Sequence, residues 1–330
     1  MTTDADSILD VDLLAFEQGS ASQRRAVVDG VTRSLATGFV YTSNDVGEDL
    51  LDTAYGMLEE FFSLPPEDKA RSIAPGTNGQ TGYTGLLVET AASADVPDWK
   101  EMLNWGRRVP DGHPLRTKYP HRYHDTVLPE NEVPGITKVL EEFHERVASL
   151  LRRFLRIIGL GLGADEHVFE SAVADAPDLT RAIHYPPMTL SPGAGHVWAG
   201  EHGDINLITA LPRASRKGLQ VKTDGGWVDA VPPPGHAVIN TGIMLDRISN
   251  GRIPIGVHRV VADEEDAGDR YSVVQFCHPT PWTILAPLPS CVSDDNPARH
   301  LPVDAGSLLD QVLWEINLVE DGRRVDEPAA

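Results

Sequence analysis

The chain of 330 residues carries 49 acidic side chains against 28 Lys and Arg, a formal net charge of −21, with 41% hydrophobic residues and two cysteines. This balance works against a nucleic-acid partner, because a polyanion is held by clustered cations and the pairs Arg24-Arg25, Arg107-Arg108 and Arg152-Arg153 are short and scattered. It also speaks against a membrane, since no apolar run reaches the roughly 20 residues of a spanning helix, and Cys277 and Cys291 are too few for a disulfide framework or a thiolate zinc site.

In chain order, the opening Met1-Thr2-Thr3-Asp4-Ala5-Asp6 lacks the apolar stretch of a secretory signal, so a cytoplasmic protein is expected. Helices are predicted over Arg24 to Leu35 and Glu48 to Phe62, the second stopped by Leu64-Pro65-Pro66, with a short strand Gly38 to Thr42 between them. From Thr77 to Pro134 Gly, Pro and Asn accumulate, and an irregular segment covering a site is expected. Then Leu140, Phe143, Val147, Leu150, Leu151, Phe154 and Ile158 recur at three- and four-residue steps, the apolar stripe of a long helix. Gly159-Leu160-Gly161-Leu162-Gly163-Ala164 matches a dinucleotide-binding string, but it follows a helix where that motif follows a strand, so it reads as a helix stop.

After Arg181 the period changes to two. Short strands are predicted over Ile205 to Leu211, Gly218 to Lys222, Trp227 to Val231, Ala237 to Asn240, Val257 to Val261 and Tyr271 to His278, with Asp224-Gly225-Gly226 as a hairpin turn. Many short strands with little helix between them point to an antiparallel sandwich or barrel of the jelly-roll class. A last helix is predicted over Ser307 to Leu318.

Of the 12 histidines, His202 is followed two residues on by an acid, Asp204. In extended chain, residues two apart share a face, so this spacing presents an imidazole and a carboxylate to one metal. His258, opening a later strand, suits the third ligand. Two histidines and one carboxylate occupy one face of an octahedron and leave three positions open, the pattern of Fe(II) oxygenases. On the strand that follows, Arg270 and Ser272 share a face with Val274 and Phe276. A guanidinium at the end of an apolar wall is costly unless an anion pairs with it, and a dicarboxylate ligand would supply that partner through two parallel hydrogen bonds.

Together with these residues, Gly38-Phe39-Val40-Tyr41, Phe61-Phe62-Ser63-Leu64-Pro65, Asp98-Trp99-Lys100-Glu101, Tyr185-Pro186-Pro187, His202-Gly203-Asp204, Gly218-Leu219-Gln220-Val221, His258-Arg259-Val260 and Arg270-Tyr271-Ser272 appear in order. So read, the chain from about Asp12 to Pro281 resembles the isopenicillin N synthase-like branch of the Fe(II)/2-oxoglutarate-dependent dioxygenases. The resemblance implies an α+β fold, a double-stranded β-helix or distorted jelly roll with an N-terminal α/β portion and the long helix packed outside it. It divides the chain into an N-terminal portion with lid (8–135), a scaffold helix (136–180), the catalytic core (181–285) and a C-terminal extension (286–330). It further implies Fe(II) on His202, Asp204 and His258, 2-oxoglutarate on Arg270 and Ser272 with Tyr185 near its chelating end, and O2 as second co-substrate. The carboxylate of Asp204 favours oxygenation over halogenation. Ile183 stands where many members have Asn, and His184 where many plant members have Tyr. Substrate contacts are expected from Tyr83, His184, Phe276 and Trp314.

The implied activity is oxidation, most commonly hydroxylation, of an amino acid or natural-product intermediate, with release of succinate and CO2. Two rivals are an Fe(II) oxidase that dispenses with 2-oxoglutarate, as in oxidative cyclases and ethylene-forming enzymes, and a cupin-like metal-binding protein without turnover.

Overall fold

The computed structural model describes residues 7–77, 79–90, 96–193, 195–262 and 268–315. The first six residues, most of the acidic loop before Asp269 and the last part of the C-terminal helix expected to reach Leu318 lie outside the described residues.

Two sheets form the body. The large one has eight strands in the order β1 (Asp10–Val11), β2 (Phe39–Ser43), β10 (His236–Thr241), β7 (Ile208–Ala214), β12 (Arg270–Cys277), β5 (Leu179–Tyr185), β4 (Glu101–Gly106) and β3 (Gly82–Thr84). The small one runs β6 (Ala199–His202), β11 (His258–Val260), β8 (Leu219–Thr223) and β9 (Gly226–Asp229). Apart from the parallel β1–β2 pair, neighbours are antiparallel, and β8 and β9 meet at the predicted Gly turn. This is the jelly-roll architecture the alternation indicated.

Strand parity divides the large sheet into two faces. Leu103, Trp105, Ala182, Ala210, Ile239 and Val273 lie in one core cluster with the helix Ile136–Gly161, while Ile183, Tyr185, Leu211 and Val238 belong to clusters shared with the small sheet. The helix stripe from Leu140 to Ile158 is buried on the first face, and Trp105 Nε1 donates to Leu140 O at 2.9 Å. A buried Leu of such a stripe is worth about 2–5 kcal/mol when cut to Ala. The helix stops as expected: Gly163 takes φ +73°, and Ala164 N–H returns to Gly159 O.

Two expectations change. The segment after Thr77 is not wholly irregular, since it contains β3 and β4, and β5 was not anticipated. The N-terminal portion is also not merely packed outside, because β2 pairs with β10 and β4 with β5 inside the large sheet. β3 has only three residues, and β4 and β5 lie beside irregular, Pro-containing chain, so these three are defined by their long-range partners.

Candidate active site

Antiparallel pairing of β6 with β11 sets His202 opposite His258, their rings 4.3 Å apart between centroids at 53°. Asp204 follows just beyond the end of β6. One ligand atom from each of His202, Asp204 and His258 lies within 4.8 Å of the others.

Each imidazole is oriented from behind by a glycine carbonyl two residues upstream: His202 Nδ1 meets Gly200 O at 2.7 Å, and His258 Nδ1 meets Gly256 O at 2.9 Å. A carbonyl only accepts, so Nδ1 carries the proton and Nε2 keeps a free lone pair. Thr209 Oγ1 and Asn240 Nδ2 both donate to Asp204 Oδ2, at 2.5 and 2.7 Å.

Burial, reinforced by His258, pushes His202 down to about 4. Burial raises the Asp204 carboxyl, but His258, His202 and the two hydrogen bonds outweigh it and hold the acid below its ordinary value. At neutral pH His202 is therefore neutral and Asp204 ionised, the states in which they bind a divalent cation without first losing protons. Two imidazole nitrogens and one carboxylate oxygen are a donor set that fits Fe(II).

On β12, Arg270 is 1% exposed. Its Nε donates to Arg216 O at 3.2 Å and Lys217 O at 3.0 Å, and Nη1 to Ser272 Oγ at 3.3 Å. The guanidinium carbon sits 4.9 Å from the Tyr185 ring centroid, in register across β5. Among the described residues no carboxylate pairs with it. Burial lowers its pKa, yet the group stays cationic, so it is a buried positive charge.

These groups line one cavity of about 460 Å³ between the two sheets, with Leu309, Val312 and Leu313 of the helix Ala305–Glu315 at its border. Its walls are mainly apolar, with a charged edge where Glu89 meets Lys100 at 2.6 Å and Arg181 at 3.4 Å.

Comparison with known proteins agrees with this arrangement. Residues 8–131 match the family described as non-haem dioxygenase in morphine synthesis N-terminal, and residues 177–279 match the 2OG-Fe(II) oxygenase superfamily. A solved Caulobacter crescentus protein assigned to the 2OG-Fe(II) oxygenase family is 33% identical, with a TM-score of 0.83, over 94% of this chain and 99% of that one. The chain belongs to the 2OG-Fe(II) oxygenase superfamily. A Neurospora crassa protein, solved in complex with alpha-KG and also with alpha-KG and thymine, is 27% identical with a TM-score of 0.82, covering 95% of this oxygenase and 98% of the fungal chain. The 2-oxoglutarate-dependent dioxygenase htyE of Aspergillus rugulosus is 28% identical over 87% of this chain and 92% of its own. The oxygenase is thus an Fe(II)- and 2-oxoglutarate-dependent dioxygenase acting on a small molecule. No helix among the described residues is long and apolar enough to cross a membrane.

Among the expected substrate contacts, Phe276 lines the cavity of the oxygenase, and Tyr83, His184 and Trp314 do not. Parity explains His184: it alternates with Tyr185 on β5 and points to the opposite face of the sheet. There its two ring nitrogens meet Glu101 and Asp269, each at 2.7 Å, and its ring stacks on Tyr271. Tyr83 donates to the same Glu101, and Lys69 Nζ binds that carboxylate at 2.7 Å. On the C-terminal helix, Leu309, Val312 and Leu313 face the cavity in place of Trp314.

Sequence reasoning missed Thr209, Asn240, Glu89 and Arg181. Parity carried a signal for two of them, since Arg181 shares a face with Tyr185 on β5, and Asn240 with Val238 on β10. Lys100, which its acidic neighbours in the sequence mark as an ion-pair residue, has Glu89 and Asp98 as its partners.

Proposed function

We propose that His202, Asp204 and His258 hold the Fe(II) of this dioxygenase and that Arg270 and Ser272 anchor the distal carboxylate of 2-oxoglutarate, with Tyr185 beside the chelating end. The observation that supports the reading is a buried guanidinium with no carboxylate partner among the described residues, sharing a cavity with three converging metal donors. Iron, oxygen and 2-oxoglutarate supply the oxidising power when bound, and the co-substrate leaves as succinate and CO2. The protein's part is placement. Gly200 and Gly256 aim the two imidazoles, Thr209 and Asn240 hold one oxygen of Asp204, and the apolar walls exclude water.

Hydroxylation of a natural-product intermediate or an amino acid is the reaction we assign, carried out in the cytoplasm as part of secondary metabolism. The cavity favours a substrate with an apolar body lying by Phe276 and Val274 and an oxygen-bearing end turned to Arg181. Arg181 Nε is committed to Asn104 Oδ1 at 2.7 Å and Nη1 to Glu89, which leaves further donors for a ligand. The core from 181 to 285 supplies the assigned metal and co-substrate groups, and the segments 8–135, 136–180 and 286–330 support and border it.

The test adds Fe(II) and then 2-oxoglutarate without oxygen, followed by aerobic incubation with a panel of small metabolites. A visible charge-transfer band on adding 2-oxoglutarate and substrate-dependent succinate are expected, both lost when His202 and His258 are together replaced by Ala. A band that survives in that double variant refutes the ligand assignment. Oxidised product without succinate would instead support the rival that dispenses with 2-oxoglutarate.

A further inference from the structure

The two glycine carbonyls that aim the imidazoles are themselves restrained in different ways. Gly256 N–H donates to the backbone carbonyl of Thr241 at 2.9 Å, inside the fold. Gly200 N–H donates instead to a side chain, Asp98 Oδ1, at 3.0 Å. Glycine has the widest backbone freedom, so the direction of the Gly200 carbonyl depends on what grips it from outside.

Asp98 is built for that grip. It is 2% exposed, and its second oxygen accepts from Lys100 Nζ at 2.8 Å. Lys100 is buried and bridges to Glu89, while Asp98 N–H is tied to Glu89 O at 2.9 Å. Burial alone would lower the Lys100 pKa, but Glu89 and Asp98 outweigh it and hold the ammonium charged. Trp99 N–H donates to Val197 O, and His196 Nδ1 meets Pro97 O, so the segment before β4 is stitched along the approach to β6.

We propose that Asp98, clamped by Lys100 and Glu89, is a positioning residue for His202, acting through Gly200. The carboxylate fixes the Gly200 amide, the Gly200 carbonyl fixes Nδ1 of His202, and Nε2 is thereby aimed at the metal position. A lone buried carboxylate would be expensive, and the Lys100 bridge offsets that cost while leaving one oxygen free for the amide. This inference rests on His202 being an iron ligand.

The experiment measures Fe(II) affinity of the full chain anaerobically, the position of the Fe(II)–2-oxoglutarate absorption band, and melting of the metal-free protein. Asp98→Ala is expected to weaken Fe(II) binding about 10–100-fold, the usual effect of losing an outer partner of a metal ligand, and to shift the band. Asp98→Asn, whose amide oxygen still accepts from Gly200 but whose NH2 cannot accept from Lys100, should recover part of the affinity. Lys69→Met breaks a different buried ion pair, with Glu101, and should lower the melting temperature while leaving Fe(II) affinity intact. Unchanged Fe(II) affinity in Asp98→Ala, or equal weakening in Lys69→Met, overturns the proposal. If Asp98→Ala does not fold, Lys100→Gln, which releases the clamp, carries the test, and unchanged affinity there is equally fatal. His202→Ala separates the underlying reading: wild-type Fe(II) affinity in that variant removes His202 from the ligand set whatever Asp98 does.

Discussion

Replacing Arg270 with Met should make the oxygenase lose its co-substrate without losing its fold. The guanidinium is almost fully buried, and its partners among the described residues are two backbone carbonyls, the Ser272 hydroxyl and the face of Tyr185, none of them anionic. Removing one member of a desolvated, hydrogen-bonded charge pair costs about 2–5 kcal/mol of binding. At roughly 1.4 kcal/mol per decade, 2-oxoglutarate should bind about 30- to 4,000-fold more weakly. The same substitution removes a buried cation from the free protein and puts an apolar chain of similar length in its place, so the metal-free melting temperature should hold or rise. Arg270→Lys keeps the charge but not the two-pronged geometry, and should fall between the two. The assay titrates 2-oxoglutarate anaerobically into Fe(II)-loaded protein and follows the charge-transfer band, with Fe(II) affinity measured separately and expected to be unchanged. A co-substrate affinity equal to wild type, together with a lowered melting temperature, would mean that Arg270 is structural and would refute the argument.

Cutting either donor to Asp204, by Thr209→Val or Asn240→Leu, should weaken Fe(II) binding about 10–100-fold, read by anaerobic metal titration; unchanged affinity would show that one hydrogen bond suffices. Asp178 offers a pH test away from the metal. Burial raises its carboxyl to about 7, with Arg152 opposing, so the folded state keeps a proton that the unfolded chain releases near its ordinary value of 3.8. Its stabilising contribution is therefore complete below about pH 4 and is lost as pH rises through 7, at a cost of up to roughly 4 kcal/mol. Asp178→Asn, which can still accept the His278 N–H, should be more stable than wild type in urea at pH 8 and should flatten the slope between pH 4 and 8; an unaltered slope counts against the raised pKa. Gly38 sits at φ +79°, where an added Cβ would lie 2.5 Å from Gly256 Cα. Gly38→Ala should therefore lower thermal stability by about 1–3 kcal/mol and disturb His258 through the Gly256 carbonyl, seen as weaker Fe(II) binding.

Much of this oxygenase was legible from local pattern. The helix stripe beginning at Leu140, the Gly163 stop, the Asp224-Gly225-Gly226 hairpin and the alternation after Arg181 are periodicities of a few residues, and backbone geometry converts them directly into elements. The pair His202 and Asp204 was legible as a two-residue spacing, although β6 ends at His202 and Asp204 lies just beyond it.

What the chain's order could not decide is which remote residues stand behind these groups. Whether His184 meets the cavity or the Glu101–Asp269 pair depends on which face β5 turns inward once β4 and β12 flank it. That among the described residues Arg270 has no carboxylate partner while Lys69, Lys100 and Arg181 all have one is likewise a property of the folded chain. Periodicity is set within a few bonds, whereas pairing of buried charges is set by chain segments that meet only when the sheets close. The spacing of His202 and Asp204 was therefore readable in advance, and the Gly200–Asp98–Lys100 contacts came only with the tertiary structure.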